Sequence, residues 1–192
     1  MKKLYYDSAY LTAWTTEVKE TAVREDGVFV VLKETVFYPN GGGQPCDFGI
    51  VNGIAVTDVM LEEGIVYHKL ESSLPAEGTV SCQIDWERRF DHMQQHSGQH
   101  LLSAVCRSLY QAHMLSFHLG SDYCTIDVDK PHLDAEQLNA IERVVNRQIA
   151  TNHPIKSYFV TEEEANHLIQ WHMLFSTTGC MINLSSYKKT SF

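Results

Sequence analysis

Residues 88–102 have the sequence Arg-Arg-Phe-Asp-His-Met-Gln-Gln-His-Ser-Gly-Gln-His-Leu-Leu, and here the chain changes from a strand pattern to a helix pattern. Before Trp86, short apolar runs alternate with turn residues. After it, apolar residues recur at helical spacing, at Leu101, Leu102, Val105 and Leu109. The pattern predicts a helix that runs to about Gln111 and a domain boundary near Asp85.

Two histidines of this helix, His96 and His100, are four residues apart, so one helix face can bring both imidazoles to the same divalent cation. No carboxylate lies between them, which disfavours a metallopeptidase whose glutamate acts as general base. The pair is compatible with half of a zinc site, but also with ordinary histidines, since the chain contains 10 of them. His92 extends the same face by one turn and is either a third neighbour or a surface residue.

The first 85 residues have the pattern of antiparallel strands. Alternating apolar residues from Gly27 to Phe37 follow a turn at Asp26-Gly27, and turn pairs at 52–53 and 63–64 separate further short runs. A loop at 72–78 precedes a last strand at 79–85. Closely spaced strands joined by tight turns predict a small β-barrel.

The second half has an α+β pattern. Strands are predicted at 114–119 and 123–128, a helix at about 134–151 that ends before Pro154, and a strand at 155–160. Thr161 and Glu164 match a capping box that opens another helix. After about His167 the chain has neither a helical nor a strand period, so the tail 168–192 carries no prediction.

The composition, 44% hydrophobic and 20% charged residues, is typical of a soluble globular protein. No apolar run is long enough for a membrane span and no signal peptide is recognisable, which predicts a cytoplasmic protein.

The five cysteines form no Cys-x-x-Cys pair and are expected to be mostly buried thiols. The net charge of −9 argues against strong nonspecific nucleic-acid binding, though not against a local basic groove. Arg88 and Arg89 are predicted to form a solvated face.

A glycine-rich segment, Phe37-Tyr-Pro-Asn-Gly-Gly-Gly-Gln-Pro-Cys-Asp-Phe-Gly49, lies upstream of the helix. Three consecutive glycines allow a positive φ and a close approach of another molecule to the backbone, and Gln44 and Asp47 can form hydrogen bonds. Glycine triplets also occur in plain turns, so the segment alone leaves both interpretations open.

Together the two segments resemble one family, the editing domains of alanyl-tRNA synthetases and the AlaX-type trans-editing proteins. The resemblance covers most of the chain and extends over motifs in order: 38–49, 96–102, Ser116-Phe-His-Leu-Gly120 with Cys124-Thr-Ile-Asp127, and Asn152-His-Pro-Ile155 continuing to Glu164-Ala165. It implies a small β-barrel in residues 1–85 followed by a two-layer α/β editing domain in residues 86–192.

The family hydrolyses the ester between a wrongly attached amino acid, chiefly serine or glycine, and the 3′ end of alanine tRNA. The resemblance implies that His96 and His100 bind zinc near the scissile ester. It also implies that Gln44, with Gly42 and Gly43, lies near the substrate. Ser116 and His118 are the candidates for recognising the amino-acid side chain, because a pocket that accepts serine but spares alanine must hydrogen-bond a hydroxyl.

The chain departs from the family pattern at its end, since the later Cys-x-x-x-His that completes the zinc site is absent. Cys180 is the only late cysteine and is followed four residues on by Leu184, while His167 and His172 have the wrong arrangement. We expect the C-terminal portion to be truncated or altered relative to a full member. Two hypotheses follow, a trans-editing hydrolase or a catalytically weak RNA-binding or structural relative without a complete metal site.

Overall fold

The computed structural model describes residues 1–41, 43–74, 78–120, 123–156 and 181–182. The chain divides into two compact units, Met1–His96 and Ser97–Phe192. The mixed α and β class predicted from the sequence is confirmed, with a mostly antiparallel sheet and two helices among the described residues.

The described residues of the first unit form eight strands. They are β1 (Lys2–Lys3), β2 (Ala13–Arg24), β3 (Gly27–Leu32), β4 (Glu34–Thr35), β5 (Gly49–Val51), β6 (Ile54–Glu62), β7 (Ile65–Leu70) and β8 (Thr79–Ile84). A 3₁₀ turn at Leu4–Tyr6 follows β1, which pairs in parallel with β4. The other six strands pair antiparallel in the order β2-β3-β7-β6-β5-β8, and β8 also pairs with β2, so the sheet closes on itself.

The three turn pairs predicted from the sequence each connect two adjacent strands of this sheet, β2 to β3, β5 to β6, and β6 to β7. Strand alternation directs one set of side chains inward, where Val30, Leu32, Val51, Val59 and Val66 are fully buried. Gly49 lies where β5 pairs with β8, and a Cβ at this position would be 2.1 Å from the carbonyl oxygen of Gln83. The core of the first unit therefore lies inside the closed sheet.

Helix α1 (Trp86–Tyr110) begins where the sequence predicted it. The Asp85 side chain accepts a hydrogen bond from the backbone N–H of Arg88 at 3.1 Å, which satisfies one of the donors left unpaired at a helix start. The helix continues without a break from the first unit into the second, and the division between the units falls after His96 rather than at residue 85.

The second unit contains the rest of α1, the hairpin of β9 (Met114–Leu119) and β10 (Cys124–Val128), and helix α2 (Ala135–Ala150). Its core consists of Val105, Cys106, Ala112 and Ile141, with Ile126 and Val128 of the hairpin packed against them. Asp134 caps α2 in a capping box with Gln137. A short strand β11 (Ile155–Lys156) pairs in parallel with β12 (Met181–Ile182).

Several sequence predictions fall outside the described residues: the rest of the strand predicted at 155–160, the capping box at Thr161, and His167, His172 and Cys180. Of the four described cysteines, three are buried free thiols as predicted, and Cys124 is half-buried. Within the described ranges, no helix is long and apolar enough to cross a membrane.

Candidate functional site

The glycine loop, residues 38–48, connects β4 to β5 and is closed at its base by two hydrogen bonds between Tyr38 and Asp47. The Asp47 N–H donates to the Tyr38 carbonyl at 3.0 Å, and the Tyr38 N–H donates to Asp47 Oδ2 at 2.6 Å. At its tip, the backbones of Gly41 and Gln44 exchange hydrogen bonds of 3.1 and 3.2 Å. Gly43 has a φ of 80°, a conformation that favours glycine. Gly42, predicted to lie near the substrate, is outside the described residues.

Side-chain hydrogen bonds also hold the loop in its conformation. Asn40 accepts a hydrogen bond from the Cys46 N–H at 2.7 Å and donates to Asp58 Oδ1 on β6, also at 2.7 Å. The Cys46 thiol points to the same carboxylate at 3.4 Å, and burial raises its pKa to about 11. Cys46 is therefore a protonated structural thiol near pH 7 and not a nucleophile.

The tip of the loop contacts α1 through Gln44. Gln44 Oε1 lies 2.8 Å from His96 Nδ1, and both residues belong to the first unit. Because a carboxamide oxygen can only accept, Nδ1 carries the proton, and in the neutral ring the unprotonated nitrogen is Nε2. The structure thus brings together two predicted site residues, Gln44 and His96, that are 52 residues apart in the sequence.

The predicted solvated face of Arg88 and Arg89 is wrong. Arg89 is buried and forms an ion pair with the fully buried Asp47. Arg88 donates from Nε to the Cys46 carbonyl at 3.0 Å, and its guanidinium lies 4.0 Å from the centroid of the Phe48 ring. Both arginines bind the glycine loop, because the first turn of α1 lies directly against it.

The alternative that His92 is a surface residue is also wrong, since only 6% of its surface is exposed. Burial, reinforced by the nearby Arg88, lowers the pKa of His92. Its Nδ1 is buried without a hydrogen-bond partner among the described residues. His92 is therefore held as a neutral ring inside the first unit.

His100 belongs to the second unit, on the stretch of α1 that continues past His96. Burial lowers its pKa, so the ring is neutral near pH 7. On the same helix, Gln99 and Ser103 donate hydrogen bonds to the sulfur of Met114 at 2.7 and 3.0 Å. These bonds attach β9 to this part of α1.

Neutral imidazoles are the form that binds zinc, and a zinc-bound histidine usually donates its second ring N–H to an oxygen acceptor. His96 has this arrangement through Gln44, and His100 has the required protonation state. The chemistry of these two donors fits a metal. In the part of the chain that is described, however, no group of three or more His, Cys, Asp and Glu residues is placed to hold one.

Ser116 and His118, the candidates for recognising an amino-acid side chain, are exposed on one face of β9. The Ser116 hydroxyl donates to the carboxylate of Asp127, its partner across the hairpin, and His118 lies opposite Thr125. The opposite face carries Ile126 and Val128 into the core of the second unit. Asp127 is not among the site residues predicted from the sequence, although strand alternation within Cys124-Thr-Ile-Asp127 assigns it to the polar face.

The chain is similar in sequence to several known proteins. Residues 2–88 match the family of tRNA synthetases class II (A). The chain is 42% identical over 138 residues to the alanyl-tRNA editing protein Aarsd1-B of Xenopus laevis, covering 72% of this chain and 34% of that protein. It is 36% identical over 162 residues to the alanyl-tRNA editing protein AlaX-L of Pyrococcus horikoshii, covering 81% and 40%.

A third relative is the alanine–tRNA ligase of Pyrobaculum neutrophilum, which is 33% identical over 172 residues, covering 85% of this chain and 19% of the ligase. The chain thus spans about a third of the length of the editing proteins it matches.

Proposed function

This chain belongs to the family of alanyl-tRNA synthetase editing domains and AlaX-type editing proteins, and on that premise we propose that it is an aminoacyl-tRNA deacylase. Its substrate is alanine tRNA that carries serine or glycine, and it acts in trans in the cytoplasm, where tRNA is charged. The hydrogen bond between Gln44 and His96 is the observation that carries the proposal, because it joins the two most specific motifs of the chain.

The reaction requires little acid or base strength from the protein. An aminoacyl ester is already activated, so holding the ester and a water molecule in the correct geometry supplies much of the rate enhancement. In this proposal Gln44 orients the His96 ring, and Gly43 beside it leaves room for the acceptor end to approach the loop backbone. The buried Cys46 thiol takes no part, since its pKa is raised to about 11.

His96 and His100 are the residues that would hold zinc, consistent with the neutral ring of His100 and with the acceptor that Gln44 supplies to His96. When bound, the metal supplies a positive charge that can polarise an ester oxygen or a water molecule. Metal analysis of the purified chain tests this part. Stoichiometric, tightly held zinc that is lost in a His96→Ala/His100→Ala variant supports the assignment, and equal zinc in both proteins contradicts it.

We assign recognition of the amino acid to the polar face of the hairpin. The Ser116 hydroxyl donates a hydrogen bond to Asp127, so the oxygen atoms on this face are available as acceptors. A serine hydroxyl or the substrate ammonium can donate hydrogen bonds to them. A site that hydrogen-bonds a hydroxyl discriminates against an analogue that lacks it. Serine would thus be accepted and alanine spared.

A deacylation assay with serine-charged alanine tRNA tests the function. Wild type, the His96→Ala/His100→Ala variant and a matched His132→Ala control, altered at an exposed histidine, are compared. We expect the control to retain the wild-type rate and the double variant to lose most of it. Equal rates in wild type and the double variant would remove the role of the two histidines.

A second candidate, a catalytically weak RNA-binding relative, is favoured by one observation: the described residues include no group of three or more His, Cys, Asp and Glu residues that could hold a metal ion. This candidate predicts that wild type binds alanine tRNA without accelerating deacylation. The same assay, with tRNA binding measured in parallel, separates the two functions.

A further inference from the structure

A buried ion pair between Arg89 and Asp47 lies at the base of the glycine loop. The side chains are 4% and 0% exposed. Arg89 Nε donates to both carboxylate oxygens, at 2.9 and 3.1 Å, and Nη2 also donates to Asp47 Oδ2. Nη1 donates to the carbonyl of Ala9 at 3.0 Å and Nη2 to that of Val36 at 2.8 Å. A single guanidinium thus binds three separate segments of the first unit.

Stability alone is a weak explanation for this pair. Burying two charges carries a large desolvation penalty, and well-packed apolar residues of similar volume often serve a core equally well. A guanidinium also provides a fixed geometry, because its N–H donors lie in one plane and set the directions in which their acceptors must lie. Here those acceptors lie just before the glycine loop, at Val36, and at its end, at Asp47.

Arg89 and His96 both belong to helix α1. Arg89 and His96 are seven residues apart, which places them on the same helix face, about 10 Å and two turns from one another. Gln44 is three residues from Asp47, and the Arg88 bond to the Cys46 carbonyl lies between them. The loop is therefore bound to the helix at three points, through Asp47 at Arg89, through the Cys46 carbonyl at Arg88 and through Gln44 at His96.

We propose that the Arg89–Asp47 pair is a positioning device for His96. By fixing the base of the glycine loop on the first turn of α1, the pair holds Gln44 Oε1 at hydrogen-bond distance from His96 Nδ1. The ring is thereby kept in the tautomer whose unprotonated nitrogen is Nε2. Its effect on deacylation rests on the proposed function, but its effect on the ring does not.

Nitrogen NMR of histidine-labelled full chain, after dialysis against a chelator, reports the tautomer of His96 directly. Wild type is expected to show His96 as a single tautomer with Nδ1 protonated. Gln44→Met removes the acceptor, and Arg89→Lys keeps the charge but loses the fork, so both variants are expected to show mixed tautomers. Arg24→Lys is the matched control, since Arg24 makes a two-bond pair with Glu62 at 3.0 Å in the same unit, on the exposed surface.

A merely structural pair gives a different result. If Arg89→Lys lowers the unfolding temperature but leaves the His96 signal as in wild type, while Gln44→Met changes it, the positioning role is wrong. An unchanged signal in Gln44→Met would overturn the hydrogen bond itself. Should Arg89→Lys fail to fold, Asp47→Asn is judged by the same signal, because it keeps the side-chain shape and an acceptor for Tyr38.

Deacylation provides the second readout. Outer partners of a functional histidine typically contribute ~10- to 100-fold in activity, so we expect Arg89→Lys and Gln44→Met to lower kcat by about that factor with KM little changed. Full kcat in Arg89→Lys would contradict the proposal. If wild type has no deacylase activity, the proposed function fails, while the NMR comparison still decides whether the pair positions His96.

Discussion

His68 provides a pH test of how the first unit is held together. It lies on the inner face of β7 and is completely buried. Its Nδ1 is 3.0 Å from the Val30 carbonyl and its Nε2 is 2.8 Å from the Thr35 hydroxyl. The Thr35 oxygen also accepts a bond from the N–H of Phe37, just before the glycine loop. A neutral ring satisfies this network, donating from Nδ1 and accepting at Nε2, whereas a protonated ring would have no acceptor for Thr35.

Burial lowers the pKa of His68 from 6.5 to about 4. Between these two values the unfolded chain binds a proton that the folded chain does not, so the free energy of unfolding falls as the pH falls. Each pKa unit corresponds to about 1.4 kcal/mol, which gives a loss of about 2 kcal/mol from pH 7 to pH 5. The stabilisation is complete above the unfolded pKa and is lost as the pH drops toward the folded one.

Chemical unfolding at pH 7, 6 and 5 measures this loss. Burial also lowers the pKa of His92 and His100, so these rings contribute in the same direction. His68→Gln keeps hydrogen-bonding atoms without a titrating ring and isolates the contribution of His68. His132→Gln is the control, because this ring is in contact with water in the folded chain. The reasoning is refuted if wild type and His68→Gln lose the same free energy between pH 7 and pH 5.

Three substitutions test the packing of the backbone by thermal or chemical unfolding. Gly49→Ala should lower the free energy of unfolding by about 2 kcal/mol or more, since its Cβ would overlap the Gln83 carbonyl; an unchanged value contradicts the close approach. Gly98→Ala should raise it by about 0.5–1 kcal/mol, because a Cβ there meets no described atom within 4 Å; a decrease would show a hidden contact. Asp134→Ala should lower the free energy of unfolding by about 1 kcal/mol because the cap of α2 is lost, and an unchanged value would refute that cap.

The local elements could be predicted from the sequence because their signals are local. The turn pairs of the closed sheet, the start of α1 after Asp85 and the helix predicted at about 134–151 each depend on a few neighbouring residues. The polar face of the hairpin follows from strand alternation in the same way, and Ser116 and His118 do share it.

The tertiary partners could not be predicted, since nothing in the local sequence pairs residues that are distant along the chain. Arg89 has the local pattern of a surface charge, and only the approach of the glycine loop, 42 residues away, makes it a buried partner of Asp47. His92 likewise continues a helix face that looks solvated, yet packing buries it. The contact between Gln44 and His96 required the same folded loop.

Turnover of serine-charged alanine tRNA, compared with that of correctly charged alanine tRNA, tests the central claim most directly. The chain is supplied in small molar amounts relative to the tRNA, and release of each amino acid is followed beside spontaneous hydrolysis. We expect many turnovers of the serine ester and little acceleration for the alanine ester. Release of serine at the spontaneous rate, in a folded protein that binds the tRNA, would contradict it.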